Sequence, residues 1–242
     1  MKNKRVLVTG ASSGIGASTA EEFLLQGAKV GLHFNKNRTG AYAIQKKFSE
    51  RQCRLFQADF TKTDKVLSLW KNFVDWAGGI DVLVNNAGEV NPMPLEELTE
   101  EVWDSTFQVN TKAPFLLSQK AFEYMKKNGS GRIINISSIG VKFGGSITTI
   151  HYSASKAALE AITRSFAKAG AQYNILVNAV QVGVTDTPLH KKIGRSDLSE
   201  RISLIPLKRL AQPKEIARVI LFLATEDNSF ITGTVICVSG GE

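Results

Sequence analysis

The sequence has little with which to cross-link or anchor itself. Only two cysteines occur in 242 residues, Cys53 and Cys237. Neither has a partner cysteine or paired histidines at zinc spacing, which excludes a disulfide scaffold and predicts no metal. The expectation is a reducing, cytoplasmic setting in which both thiols are buried. No apolar run approaches the roughly 18 residues of a membrane span, and Met1 to Gly10 holds only Val6-Leu7-Val8 before Thr9-Gly10 interrupts. Neither a membrane anchor nor a signal peptide is expected. Acidic residues are also in deficit, 22 Asp+Glu against 30 Lys+Arg for a net charge of +8, a balance compatible with nucleic acid, an acidic protein or a phosphate-bearing ligand. The basic residues are scattered (Lys2, Lys4, Arg5; Lys46, Lys47; Lys126, Lys127; Lys191, Lys192, Arg195) without a long run or a nucleic-acid motif. They read as a solvated surface, with no nucleic-acid partner.

What is present is apolar and periodic. With 43% hydrophobic and 21% charged residues the chain can bury enough surface to offset its ordering entropy, and its length suits one domain, 1–242. Strand-like segments at 5–8, 29–34, 53–57, 81–85, 132–137, 175–179 and 234–238 alternate with helical stretches near 15–26, 41–50, 63–77, 99–127, 152–170 and 213–225. Parallel neighbours need crossover connections, so this alternation predicts an α/β, doubly wound parallel sheet of the Rossmann type. The longest irregular region, 181–212, is a candidate substrate lid.

Between the first strand and first helix stands Thr9-Gly10-Ala11-Ser12-Ser13-Gly14-Ile15-Gly16. Glycines there let a backbone turn sharply, and a helix N-terminus offers unpaired N–H groups and positive partial charge, which suit a pyrophosphate. The spacing differs from Gly-x-Gly-x-x-Gly, and a purely structural turn is the alternative. The second strand ends at Phe34, where an NAD-selective Rossmann domain carries an acid for the ribose 2′-hydroxyl. Asn35-Lys36-Asn37-Arg38 follows instead, and Asn35, Lys36 and Arg38 could hold a 2′-phosphate, favouring NADP(H) over NAD(H); the same run also reads as a basic loop with a helix cap. Asp59 could accept from an adenine amino group while Phe60 lies against the base.

Asn86-Ala87-Gly88 after the fourth strand, Asn110 in a long helix, Ser138 past the fifth strand and Tyr152-Ser153-Ala154-Ser155-Lys156 follow in order. Each is weak alone; together, at strand carboxyl ends, they mark a ligand crevice. The i, i+4 spacing puts Tyr152 and Lys156 on one helix face, where a cation would lower a phenol pKa of about 10. Ser138 could donate to a carbonyl and stabilise an oxyanion.

With these motifs, and with Val177-Asn178-Ala179 leading to Gly183 and Thr187, the chain resembles the short-chain dehydrogenase/reductase family over essentially its full length. The resemblance implies an oxidoreductase that moves hydride between a nicotinamide and a ketone or secondary alcohol. It implies Tyr152 as general acid/base, Lys156 as holder of the nicotinamide ribose, Ser138 orienting the carbonyl, Asn110 anchoring a water-linked proton relay, and Thr187 with the backbone near Thr185 meeting the carboxamide. It further implies a homotetramer through the helices near 99–127 and 152–170. Departures are Val182-Gly183 for the family's Pro-Gly, Ser239 for a common aspartate, and Ser13 where many NADP-preferring relatives carry a basic residue. Pro206-Leu207-Lys208-Arg209-Leu210 and the Thr232-Gly233 ending are most similar to the 3-oxoacyl-(acyl-carrier-protein) reductase branch; Lys126, Lys127 and Lys168 lie on the two helices that the resemblance implies flank the site, and could meet an acidic carrier. Sugar, polyol or cyclic-ketone dehydrogenation is the alternative within the family; a non-catalytic nucleotide sensor is the alternative outside it.

Overall fold

The computed structural model describes residues 1–194 and 197–242; Arg195, Ser196 and the side chain of Lys192 lie outside the described residues. Seven parallel strands form one sheet: β1 (Arg5–Val8), β2 (Lys29–Phe34), β3 (Cys53–Gln57), β4 (Val82–Asn85), β5 (Gly131–Ser138), β6 (Ile175–Val182) and β7 (Val235–Val238). Their order is β3-β2-β1-β4-β5-β6-β7. The helices are α1 (Gly14–Leu25), α2 (Arg38–Gln45), α3 (Thr63–Ala77), α4 (Glu100–Phe107), α5 (Ala113–Asn128), α6 (Gly140–Phe143), α7 (Ile150–Gly170), α8 (Pro188–Lys192), α9 (Ser199–Leu204) and α10 (Pro213–Ala224). None among the described residues is long and apolar enough to cross a membrane.

The near-continuous apolar strands follow from burial on both faces. Val6 and Val8 point into one core with Phe23 of α1 and Ile220 of α10, whereas Leu7 between them points into a second core with Phe73 of α3 and Leu117 of α5. Each such large side chain, taken fully from water, contributes roughly 1.5–3 kcal/mol. The strand order reverses direction between β1 and β4, so the loops leaving their carboxyl ends diverge and open a crevice.

Four expectations need correction. The single helix expected over 99–127 is interrupted by a π-helical turn, Gln108–Lys112. Pro114 in the first turn of α5 has no N–H to offer the carbonyl of Asn110, which unsettles the regular ladder there. Helix α2 starts before residue 41 because the side chain of Asn37 accepts from Gly40 N–H and caps it. The expected lid is not irregular throughout: its first residues complete β6, and it contains α8 and α9. Cys53 is buried, which pushes its thiol up to about 12, but Cys237 is exposed, because β7 is an edge strand with one side open.

Candidate active site

A cleft of about 1360 Å³ opens at the carboxyl ends of the strands. At its centre the turn after β1 presents Gly10, Ser12, Ser13, Gly14 and Ile15 to the cleft. Gly10 has φ +66°, and a Cβ there would stand 2.9 Å from the Cα of Ala87. At Gly14, φ +55°, a Cβ would stand 2.9 Å from Cγ2 of Thr187. Both positions therefore require glycine. Gly16 is not part of the cleft wall; it lies behind the turn, packed on the Gly10 carbonyl. The result is a cradle at a helix N-terminus that side chains would fill, which fits a dinucleotide pyrophosphate. Thr9 Oγ1 accepts from the N–H groups of Asn86 and Ala87 at 2.9 Å each, and Asn86 Nδ2 donates to the Thr9 carbonyl at 2.9 Å. These bonds couple the turn to the Asn86-Ala87-Gly88 loop, which also lines the cleft.

The adenosine end is built differently from the sequence reading. Asn35 and Lys36 line the cleft. Phe34 is only 3% exposed, so Asn35 is the side chain facing the position where an acid was sought. Arg38 is not in the wall: it starts α2 with its guanidinium over the ring of Tyr42, 5.9 Å from the centroid. Asp59 also stands outside the wall, and its Oδ1 accepts from Thr61 N–H (3.0 Å) and Oγ1 (2.8 Å), which holds its carboxyl below the usual range. Phe60 does line the cleft, yet its ring is stacked on His33 with centroids 4.1 Å apart, so that face is not free for a base. Sequence reasoning missed His33, although a lone histidine in an apolar strand was the signal. It is 2% exposed, and burial pushes its pKa down to about 4, so the ring is neutral at physiological pH.

At the other end Ser138, Tyr152 and Lys156 line the wall together. Adjacent strand residues point to opposite faces, which separates the two serines. Ser137 Oγ donates to Glu160 Oε1 at 2.6 Å inside the protein, whereas Ser138 faces Tyr152 and lowers its pKa against the larger upward push of burial. Lys156, 3% exposed, donates from Nζ to the Ile136 carbonyl at 2.8 Å and sits 5.8 Å from the Tyr152 ring centroid. Burial lowers its pKa to about 8, so it remains a cation at neutral pH. Burial pushes the Tyr152 phenol above its ordinary range, because removing a phenolate from water is costly, and the hydrogen bond with Ser138 offsets only part of that. Glu160, also overlooked, accepts from Gln181 Nε2 at 3.0 Å and so joins β5, β6 and α7 beneath the site.

Asn110 is fully buried and stands behind the wall. Its Oδ1 accepts from Glu89 N–H and its Nδ2 donates to the Glu89 carbonyl, both at 2.9 Å, clamping the loop after Gly88. A Cβ on Gly88 would lie 3.2 Å from Asn110 Oδ1 and 3.3 Å from Lys156 Nζ. Val182 is a regular strand residue paired with Ser138 and Val238. Its carbonyl accepts from Ile139 N–H, and Gly183 N–H donates to Val238, so the ladder fixes the backbone that proline fixes in the family pattern. Gly183, Thr185 and Thr187 all line the cleft, and Thr185 Oγ1 donates to the Gly183 carbonyl at 3.1 Å. Helix α7 reaches the site through Tyr152 and Lys156, but Lys126, Lys127 and Lys168 are not in the cleft wall. Crossover helices run antiparallel to the strands, so the last turns of α5 and α7 fall at the opposite edge of the sheet; Lys126 lies over Tyr173, just before β6.

Such a cleft, with a phosphate cradle at one strand end and a hydroxyl–phenol–ammonium set at the next, defines a dinucleotide-dependent oxidoreductase. The family model described as enoyl-(acyl carrier protein) reductase matches residues 10–242. A 3-oxoacyl-[acyl-carrier-protein] reductase FabG of Thermotoga maritima is 36% identical over 242 residues, covering 100% of this chain and 98% of that protein. An acetoacetyl-CoA reductase of an Acinetobacter strain is 32% identical, covering 99% and 98%. A solved structure described as a short chain dehydrogenase/reductase family protein superposes with a TM-score of 0.88 at 32% identity, covering 99% of this chain and 97% of that one. The chain belongs to the short-chain dehydrogenase/reductase family.

Proposed function

We propose that this oxidoreductase reduces 3-oxoacyl thioesters with NADPH. The observation that carries the reading is the pairing, in one cleft, of Ser138, Tyr152 and Lys156 with an adenosine end that offers Asn35 and Lys36 and no carboxylate in its wall. The printed activities of two full-length relatives, a 3-oxoacyl carrier-protein reductase and an acetoacetyl-CoA reductase, support the substrate class. When bound, the nicotinamide supplies hydride to the carbonyl carbon. Ser138 donates a hydrogen bond to the carbonyl oxygen, and Tyr152, kept protonated by burial, delivers the proton as negative charge develops there. Lys156 holds the ribose and stabilises the phenolate that remains. The Asn110 carbonyl, denied a helical donor by Pro114, anchors the water through which the proton is replaced. Thr185 and Thr187 would orient the carboxamide, and helices α8 and α9 cover the substrate, Leu189 and Leu204 adding apolar surface.

The deciding measurement is turnover of acetoacetyl thioester, on carrier and on coenzyme A, beside sugars and cyclic ketones, with both nicotinamides. Preference for a sugar or cyclic ketone would sink the substrate assignment. Cofactor choice has its own test. Lys36→Ala removes a charge-assisted contact to the 2′-phosphate and is expected to lower the NADPH-over-NADH ratio in kcat/KM about tenfold; an unchanged ratio would show that Lys36 does not read the phosphate.

The chain assembles as a homotetramer through α4, α5 and α7. Trp103 and Phe115 on these helices are more than a third exposed, and their burial between copies supplies the driving force. Sedimentation at micromolar concentration should give four chains; a monomer refutes it.

A further inference from the structure

His33, in the cleft wall, touches two segments that are distant in sequence. Its Nδ1 accepts from Gly10 N–H at 3.1 Å, at the first glycine of the phosphate turn. Its Nε2–H donates to the Ala58 carbonyl at 3.0 Å, at the end of β3. The carbonyl of the same residue accepts from Ala11 N–H at 2.8 Å, and the ring stacks on Phe60 with an interplanar angle of 7°. One residue thus bolts the phosphate turn after β1 to the wall after β3, through three hydrogen bonds and a ring face. We propose that His33 is a positioning residue for the dinucleotide: it fixes the phosphate turn against the adenosine-side wall, so that the turn meets the ligand already in its binding shape. This rests on the proposed nicotinamide dependence.

Two features make the assignment specific. Gly10 N–H points to His33 and not to the cleft, so the bond orients the turn without competing for phosphate. The ring is at the opposite end of the cleft from Tyr152, so its removal should weaken cofactor binding and spare the chemistry. Preorganisation acts on affinity by sparing the ligand the cost of ordering its site.

The variants separate the contacts. His33→Phe keeps the stacked ring and loses both side-chain hydrogen bonds. His33→Asn restores an acceptor at the position of Nδ1. His33→Gln reaches toward Ala58 and leaves Gly10 N–H unpaired. Calorimetry with NADPH and with 2′,5′-ADP, plus kcat at saturating cofactor, is the experiment, with thermal melts to establish folding. The expected result is a dissociation constant for both ligands raised roughly tenfold or more in His33→Phe, as for an unpaired buried polar group. In His33→Asn most of the affinity should return, and kcat should be unchanged throughout. A folded His33→Phe that binds both ligands like the wild type overturns the assignment. Should that variant not fold, equal affinities of His33→Gln and His33→Asn overturn it. Wild type that binds neither NADPH nor NADH overturns the proposed function itself, and the His33 assignment with it.

Discussion

Replacing Tyr152 with phenylalanine should lower kcat for ketone reduction by roughly 10²–10⁴-fold, the usual worth of a positioned general acid, while the dissociation constant for NADPH stays nearly unchanged. The substitution removes one hydroxyl and keeps the ring. The wall shape, the Lys156 bond to the Ile136 carbonyl and the phosphate turn at the far end are all independent of that oxygen. What is lost is the proton that must reach the carbonyl oxygen as negative charge accumulates, together with the Ser138 contact that faces it. Ser138 alone can donate a hydrogen bond but has no acidic proton to surrender. Steady-state kinetics with an acetoacetyl thioester, paired with nicotinamide fluorescence titration, separates the two quantities. Near-normal turnover in the variant would mean that the proton travels by another route.

A second large effect is expected at Lys156, where one substitution should damage chemistry and cofactor binding together. Lys156→Ala deletes a buried cation, leaves the Ile136 carbonyl without its donor, and opens a space beside Gly88. A loss of about 10²-fold or more in kcat follows if the cation stabilises the phenolate in the transition state, with a higher KM for NADPH because the ribose contact goes as well. The pH dependence carries the sign. Lys156, pushed down to about 8 by burial, is charged below that pH and neutral above it, so wild-type reduction should decline as pH rises through about 8. Tyr152, raised by burial, keeps its proton beyond that point and does not cause the decline. In Lys156→Met this alkaline limb should vanish from a much reduced profile. A limb at the same pH in the variant would assign it to another group.

Legibility from the sequence followed the range of the forces involved. The strand-helix alternation and the doubly wound class are visible because a sheet buried on both faces demands uninterrupted apolar runs such as Val6-Leu7-Val8, and crossovers demand helices between them. The glycine turn and the Tyr152, Lys156 pair are equally visible, since a phosphate cradle and a shared helix face are set by spacing along the chain. Where side chains point at the ends of elements is another matter. Arg38 follows Lys36 by two residues, yet helix α2 carries it over Tyr42 and away from the cleft. Asp59 spends its carboxylate on Thr61 two residues on. Lys126, Lys127 and Lys168 belong to helices that reach the site, but the antiparallel run of a crossover helix takes their last turns to the opposite edge. His33 became meaningful only when β1 and β3 were brought to either side of β2, because its partners, Gly10 and Ala58, are distant in sequence. The chain by itself determined its class, its fold and which phenol and ammonium share a helix face, all of which rest on local pattern. The tertiary structure alone decided which charges face the cleft and what holds the phosphate turn in place, because those depend on contacts between segments that only folding makes neighbours.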